Sequence, residues 1–154
     1  MLKENFNKLL DTGIALSNVH DLDKLLDLIL SKAQELTNAD SGSIYLVEKD
    51  KLIFKTSRSN TYFKRWGEAE TRKLFQSFEM PITKSSISGY VAITKQPINI
   101  PDVQKIPADC DYQYNDSFDK KYGYVTISML VVPMTDRENQ TIGVLQLINS
   151  MDGD

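Results

Sequence analysis

Alternating apolar residues near the C-terminal end predict two adjacent strands. Residues 128–149 are expected to form a hairpin whose polar turn spans 135–140. Side chains alternate between the two faces of a strand. The first strand places apolar residues on both faces: Leu130, Val132 and Met134 on one, Met129 and Val131 on the other. A strand that is apolar on both faces must be covered on both, so we expect this hairpin in the middle of an antiparallel sheet.

The second strand of this hairpin carries one polar side chain in an apolar row. Gln146 is expected to share a face with Ile142, Val144 and Ile148. A buried amide that lacks a hydrogen-bond partner costs about 1–3 kcal/mol. The sequence leaves two alternatives open: the partner of Gln146 is another side chain of the protein, or it is a bound ligand.

Two helical stripes precede the sheet. In each stripe, successive positions are alternately four and three residues apart, as on one face of a helix. The first predicted helix has the stripe Leu2, Phe6, Leu9, Gly13 and Leu16. The second has the stripe Leu22, Leu26, Ile29, Ala33 and Leu36. Ser17-Asn18 and His20-Asp21 interrupt the stripe, and Asp21 is the predicted N-cap of the second helix. The second helix is expected to pack on the sheet. The first has little left to pack against in a small domain, so we interpret it as an interface helix, with packing inside the domain as the alternative.

The elements between these helices and the hairpin are predicted to be short. Strands are expected at 41–47, 52–56, 78–82 and 96–100, the third confined to an edge or a strand end by Pro81. Helices are expected at Ile87–Thr94, capped by Ser85 or Ser86, and at 118–122, ended by Gly123. Residues 57–77 are expected to be a basic loop with one short helix around 68–75, and residues 103–115 an irregular, tyrosine-rich segment.

Composition and charge narrow the functional classes. The 154 residues suffice for one domain, with the 41 % hydrophobic and 25 % charged content of an ordinary globular protein. A net charge of −3 provides no basic surface for nucleic acid or anionic membranes. No apolar run approaches the roughly 20 residues that span a bilayer, and the N-terminus does not resemble a signal peptide, so we expect a cytoplasmic domain.

Few side chains offer catalytic or metal chemistry. Cys110 is the only cysteine and His20 the only histidine, which excludes a Cys/His zinc site within one chain. Asp109 and Asp111 flank Cys110 and should disfavour its thiolate, and His20 is expected at a solvent-exposed helix junction. We therefore predict no catalytic residue, no metal and no enzyme activity.

Six stretches together resemble the successive motifs of a GAF domain. The resemblance covers about residues 22–150 and is carried by the segments 39–47, 87–92, 96–102, 121–126, 128–134 and 142–149. Among GAF domains, the sequence is most similar to those of cyclic-nucleotide phosphodiesterases and bacterial signalling proteins. The resemblance implies an α+β fold with a central antiparallel sheet of about six strands. It also implies helices on one face of the sheet, with short helices and loops closing a pocket on the other.

The same resemblance implies a set of ligand-binding residues. Family pocket positions match Ser43 on the first strand, Ile87 and Ser88 on the short helix, Asp102 after the fourth strand, Thr126 before the penultimate strand and Gln146 on the last strand. Tyr112 and Tyr114 could stack on a base or pack as part of a lid. No cofactor is expected beyond a small organic ligand such as a cyclic nucleotide.

The sequence also departs from the family pattern. The Phe-Asp pair of many cyclic-nucleotide binders aligns with Ser57-Arg58, which argues against cGMP or cAMP. The glycine expected before the short helix is Ser86, and the family's Asn-Lys signature is half present as Asn149-Ser150. The closing C-terminal helix is missing, which is typical of a fragment of a longer signalling protein.

We therefore predict two segments: an N-terminal helix at 1–20 that links domains or forms a homodimer, and a GAF domain at 21–154. The predicted function is a non-catalytic sensory domain that binds a small molecule and relays this through its terminal helices to a fused output domain. The alternative is a structural dimerisation module with a vestigial pocket.

Overall fold

The computed structural model of the chain describes residues 4–5, 19–75 and 78–151. Its helices are α1 (Val19–Thr37), α2 (Asn60–Trp66), α3 (Glu68–Leu74), α4 (Ile87–Thr94) and α5 (Ser117–Tyr122), with a 3₁₀ turn at Val103–Lys105. Its strands are β1 (Ala39–Glu48), β2 (Lys51–Ser59), β3 (Glu79–Pro81), β4 (Ile98–Ile100), β5 (Met129–Thr135) and β6 (Thr141–Ser150). The predicted α+β class is confirmed.

The six strands form one antiparallel sheet in the order β3-β2-β1-β6-β5-β4. The predicted hairpin is β5–β6, and β6 lies between β1 and β5 in the middle of the sheet. Its central place follows from its composition, because a strand that is apolar on both faces loses most when one face is left in water. The short β3 is an edge strand, as Pro81 predicts.

Helix α1 covers one face of the sheet. Its apolar stripe packs on alternate residues of β1 and β6 in a core built from Leu26, Ile29, Leu30, Ala33, Ile44, Leu145 and Leu147. Residues 19–21 are already helical, so the predicted interruption at His20-Asp21 and the N-cap role of Asp21 are wrong, while the predicted interruption at Ser17-Asn18 lies outside the described residues. No glycine or proline stands there to stop the helix, and Asp21 lies in its first turn, where the helix dipole favours a carboxylate.

The opposite face carries α4 and the cavity described below. Its core joins Ile87 and Val91 of α4 to Tyr45, Val131 and Val144 of the sheet. Gln146 follows Val144 on this face, as predicted.

Ile142 is the exception to the predicted row, because it packs with the α1 core. The register of β5 and β6 skips Ile142, passing from Met134–Gly143 to Thr135–Thr141. Such a bulge turns the extra residue to the other face of the sheet.

Residues 57–75 differ most from prediction. β2 continues to Ser59, and two helices follow instead of one. The Ser59 hydroxyl accepts a hydrogen bond from the Tyr62 N–H at 3.2 Å and so caps α2. Gly67, with φ of 81°, ends α2 and lets α3 begin at once.

The predicted N-terminal helix lies mostly outside the described residues. Residues 4 and 5 are described, and both are helical. Within the described ranges, no helix combines the length and the apolar character required to cross a membrane.

Candidate functional site

A cavity of about 770 Å³ lies between the sheet and the segments that follow β2 and β4. Its floor is formed by β1, β2, β5 and β6, one wall by α2 and Phe75, another by the start of α4, and its cover by residues 113–124 with α5. The volume falls within the range of cavities that hold small organic molecules in proteins.

Five of the six predicted site residues line this cavity: Ser43, Ile87, Ser88, Thr126 and Gln146. The register explains how the sheet brings two of them together, because Ser43 of β1 pairs directly with Gln146 of β6. Asp102 does not join them. Its carboxylate caps the 3₁₀ turn, accepting from the Gln104 N–H at 2.9 Å, and lies 3.8 Å from Lys105 Nζ.

Gln146 is half-buried and points toward the first turn of α4. Its Nε2 donates a hydrogen bond to the hydroxyl of Ser88, a residue that is 2 % exposed. The sequence left open whether a protein side chain or a ligand is the hydrogen-bond partner of Gln146, and in the structure the partner is a protein side chain, Ser88. The bond ties the middle of the sheet to α4 and fixes both side chains on the cavity wall.

The start of α4 is held close to the chain that precedes it. The Ser86 hydroxyl accepts from the Gly89 N–H at 3.0 Å, as a capping serine does. A Cβ on Gly89 would lie 2.1 Å from the Thr83 carbonyl oxygen, so only glycine permits this approach. The tight turn places Ile87 and Ser88 against the cavity.

Asp119 of α5 anchors the cover of the cavity, a role that sequence analysis missed. Its carboxylate accepts from the Thr126 N–H at 2.9 Å, the Thr126 hydroxyl at 3.0 Å and the Tyr114 hydroxyl at 2.7 Å. Arg65 of α2 adds a bond of 2.9 Å to the Gly123 carbonyl. Thr126 therefore faces the cavity with its hydroxyl already engaged, and Tyr114 is part of the cover.

A second carboxylate, Asp40, ties the floor of the cavity to its cover. Asp40 is 7 % exposed and its Oδ2 accepts from the Tyr124 hydroxyl at 2.7 Å and the Thr61 hydroxyl at 2.8 Å. The Ser41 hydroxyl lies 3.1 Å from the same oxygen. The sequence signal for this site was weak, since it consists of a polar run at a strand start.

Aromatic side chains form the wall beneath α5. Tyr62 stacks on Trp66 with ring centroids 4.9 Å apart and lies 5.4 Å from Phe75 and 5.3 Å from Tyr124. Sequence analysis placed Tyr62 in a loop, and the capping serine at position 59 was the signal that could have found its helix.

Burial raises the pKa of the cavity tyrosines. Desolvation is the main cause for Tyr45, Tyr114 and Tyr124, and it raises the pKa of Tyr62 to about 12. Loss of water disfavours the phenolate, so all four stay protonated at neutral pH and can donate hydrogen bonds.

These shifts predict loss of stability in alkali. The pKa of an unfolded tyrosine is about 10, and the folded values lie above it, so stability is complete below about pH 10 and falls as the pH rises further. We expect the urea midpoint to decline together with the rise in tyrosinate absorbance. Tyrosinate formation at about pH 10 in a protein of unchanged stability would contradict this.

Cys110, which the sequence offered as a reactive side chain, does not line the cavity. Burial and then the neighbouring Cys110 raise the pKa of Tyr112, whose ring packs edge-on against Tyr90 with centroids 5.0 Å apart. His20 lies on the helical backbone of α1. Within the described part of the chain, no group of three or more His, Cys, Asp or Glu side chains is arranged to hold a metal ion.

Comparison with known proteins identifies the fold family. Residues 21–153 match the sequence profile of the GAF domain. The chain belongs to the GAF domain family. A curated relative, the cGMP-specific 3′,5′-cyclic phosphodiesterase of Drosophila mojavensis, is 33 % identical over 140 residues. That match covers 89 % of this chain and 12 % of the relative, so this chain spans about an eighth of the phosphodiesterase length.

Solved structures share the fold at low sequence identity. The GAF domain of A. aeolicus nlh2, in an inactive state, superposes with a TM-score of 0.62 at 15 % identity, covering 97 % of this chain and 80 % of that one. The free methionine-R-sulfoxide reductase of Neisseria meningitidis gives 0.58 at 16 % identity, covering 96 % and 73 %. A GAF domain is typically a regulatory module that binds small molecules in signalling proteins, and these two likenesses concern the fold alone.

Proposed function

We propose that this GAF domain is a non-catalytic sensory module of a longer signalling protein and binds a small organic molecule in the cavity between sheet and cover. The observation that carries the proposal is the cavity itself, which is open and lined by Ser43, Ile87, Ser88, Thr126 and Gln146. A vestigial pocket would be filled by its own side chains. Tyr112, one of the two tyrosines able to plug it, packs instead on Tyr90.

The cover of the cavity is suited to respond to a ligand. Helix α5 has no buried residue, and it is held mainly by Asp119, by Arg65 and by ring contacts of Phe118 and Tyr122 with Phe75. An element with so little burial opens at low cost. A ligand that contacts both floor and cover would favour the closed state by its difference in affinity for the two states.

Asn149 offers a route from the cover to the end of the sheet. Its Oδ1 accepts from the Ile127 N–H at 2.7 Å, while its Nδ2 donates to the Val125 carbonyl at 2.7 Å and to the Tyr124 hydroxyl at 3.2 Å. Residues that follow the cover are thereby fixed to the last residues of β6. Close by, the Met151 N–H donates to the Asn38 carbonyl just after α1. Movement of the cover would thus be transmitted to the end of β6 and, through Met151, to the end of α1.

Nucleotides are the first ligands to test, because the relatives are cyclic-nucleotide phosphodiesterases. Ser57-Arg58, at the position of the Phe-Asp pair of many cyclic-nucleotide binders, argues for including non-cyclic nucleotides and nucleosides in the panel. Homodimerisation through residues 1–20 and fusion to an output domain remain part of the proposal.

Filling the cavity should abolish ligand binding. Wild type, Ser43→Trp and Lys32→Trp would be melted with cGMP, cAMP, GMP, AMP, guanosine and adenosine. A ligand at 100 times its Kd adds about 2.7 kcal/mol of stability to wild type. We expect no gain in Ser43→Trp, where the indole occupies the ligand volume. We expect the full gain in Lys32→Trp, whose new side chain lies on the exposed part of α1 across the sheet.

Two outcomes would contradict the proposal. A gain that persists in Ser43→Trp would place the ligand elsewhere. No gain with any compound, together with a stable dimer in sedimentation experiments, would favour the structural dimerisation module.

A further inference from the structure

One buried hydrogen-bonding group on the cavity wall has no partner in the described protein. Tyr62 is 3 % exposed and lines the cavity, yet its hydroxyl oxygen is enclosed without a hydrogen bond. Its ring is held by Trp66, Phe75 and Tyr124, at centroid distances of 4.9, 5.4 and 5.3 Å. The hydroxyl therefore cannot turn away to find water without disrupting this packing.

Two other tyrosines around the cavity have hydrogen-bond partners within the protein. Tyr124 donates to Asp40 and Tyr114 donates to Asp119, each at 2.7 Å. Native proteins rarely leave a buried hydroxyl unpaired, because the loss of its water is not compensated. The exception at Tyr62 points to a partner that comes from outside the protein.

The charge around Tyr62 defines that partner. Its pKa is raised to about 12, by burial and then by the negative charge of Asp119, so the hydroxyl is a donor at neutral pH. Asp119 does not accept from it, since its oxygens are engaged by Tyr114 and Thr126. The guanidinium of Arg65, 6.0 Å from the Tyr62 ring centroid, opposes Asp119 but has the smaller effect on Tyr62, and Asp40 adds to the negative side. The net negative charge disfavours an anion beside Tyr62, which leaves an uncharged acceptor as the matching group.

We propose that Tyr62 determines the ligand specificity of this cavity, and that the ligand presents the uncharged acceptor of a flat ring, a carbonyl oxygen or a ring nitrogen, to the Tyr62 hydroxyl. The ring is inferred from the aromatic wall, where Phe75, Tyr122 and Tyr124 border the cavity beside Tyr62. This inference rests on the proposed function and names the chemical class of its ligand.

Among the described residues, a second buried group without a partner is the Nε of Arg58. Arg58 pairs with Gly42, and a Cβ on Gly42 would meet Leu30 of α1. Directly paired residues share a face of the sheet, so the Arg58 side chain leaves it on the α1 side, where its guanidinium lies 5.8 Å from the Phe63 ring centroid, although Arg58 also borders the cavity. An anion bound by Arg58 would be a different arrangement, which the experiment below separates.

The test compares three small probes in three proteins. Acetophenone offers a flat ring with an uncharged acceptor, isopropylbenzene has a similar shape without the acceptor, and benzoate has an anionic one. Their Kd values would be measured by NMR titration with wild type, Tyr62→Phe and the control Tyr90→Phe, which loses a phenol hydroxyl outside the cavity lining.

We expect wild type and Tyr90→Phe to bind acetophenone roughly fivefold more tightly than isopropylbenzene, as one neutral hydrogen bond provides. Tyr62→Phe should bind the two equally. Benzoate should bind wild type more weakly than acetophenone. The melting temperature of ligand-free Tyr62→Phe should not fall, because the lost hydroxyl has no partner, whereas that of Tyr124→Phe should fall.

Several results would overturn the inference. These are an acetophenone preference that survives in Tyr62→Phe, benzoate binding as tight as that of acetophenone, or a Tyr62→Phe protein that melts as low as Tyr124→Phe. Failure of both neutral probes to bind wild type would also overturn it. In that case a nucleotide that still stabilises wild type but not Ser43→Trp would leave the proposed function standing.

Discussion

Gly143→Ala is expected to destabilise the domain by about 3 kcal/mol, a large part of the roughly 5–15 kcal/mol by which small domains are stable. A Cβ at this position would lie 2.6 Å from the Tyr45 carbonyl oxygen, 2.4 Å from Met134 Cε and 3.0 Å from Leu46 Cδ2. The methionine can move, but the carbonyl belongs to β1, the direct neighbour of β6 in the middle of the sheet. Relief requires separation of the two central strands. Urea unfolding of purified variants measures the loss.

Gly42→Ala is the graded comparison for this prediction. Its Cβ would lie 2.8 Å from Leu30 Cδ1 and 3.0 Å from the Gln146 carbonyl oxygen. The nearest atom is the end of a flexible side chain, so we expect a loss of about 1–2 kcal/mol, smaller than at Gly143. Equal stability of wild type and Gly143→Ala would show that β1 and β6 are not packed as described.

Asp40→Ala is expected to cost about 3 kcal/mol through the loss of its carboxylate, because the hydrogen bond from Gln34 of α1 to the Asp40 backbone carbonyl is retained. The substitution leaves the buried Tyr124 hydroxyl and the Thr61 hydroxyl without their acceptor, and the Ser41 hydroxyl loses one of its partners. Asp40→Asn keeps one acceptor oxygen and should cost less. Urea unfolding again provides the measurement, and Asp50→Ala, in the exposed β1–β2 turn, should stay within about 0.5 kcal/mol of wild type.

A double-mutant cycle sharpens this second prediction. If Asp40 stabilises the fold through Tyr124, Tyr124→Phe should cost markedly less in the Asp40→Ala background than in wild type. Additive losses would show that Asp40 and Tyr124 are not energetically coupled, and an Asp40→Ala protein within about 1 kcal/mol of wild type would show that the Asp40 carboxylate contributes little to stability.

Much of the fold follows from local patterns that are visible in the sequence. The β5–β6 hairpin, α4 with its Ser86 cap and α5 with its Gly123 stop were predicted because strand alternation and helix capping are short-range effects. The errors occurred where local signals are weak. Helix α2 has few apolar residues in a regular stripe, and its stability comes from Tyr62 packing on distant rings.

The cavity was predictable only in part. Five of six residues were placed on its wall by resemblance to the GAF family, and Gln146 was also marked as a polar residue in an apolar row. Asp102 was not brought there, because its carboxylate is used to cap the turn that follows it. Tyr62 could not be found from sequence, since its role depends on Tyr124, 62 residues away. Asp119 bonds to Tyr114 and Thr126 on either side of it, but these pairings are set by the irregular path of residues 113–126, which no periodic pattern predicts.

The amino-acid sequence by itself determined the α+β class, the two apolar faces of the hairpin and most helix ends, since these depend on side-chain periodicity and on caps only a few residues away. Tertiary structure alone decided which polar groups are satisfied. The pairing of β1 with β6 brings Ser43 beside Gln146. The path of residues 113–126 supplies hydrogen-bond donors to Asp40 and Asp119 but gives the Tyr62 hydroxyl no partner. Hydrogen bonds between distant segments exist only once the chain has folded, and the properties of the cavity arise from them.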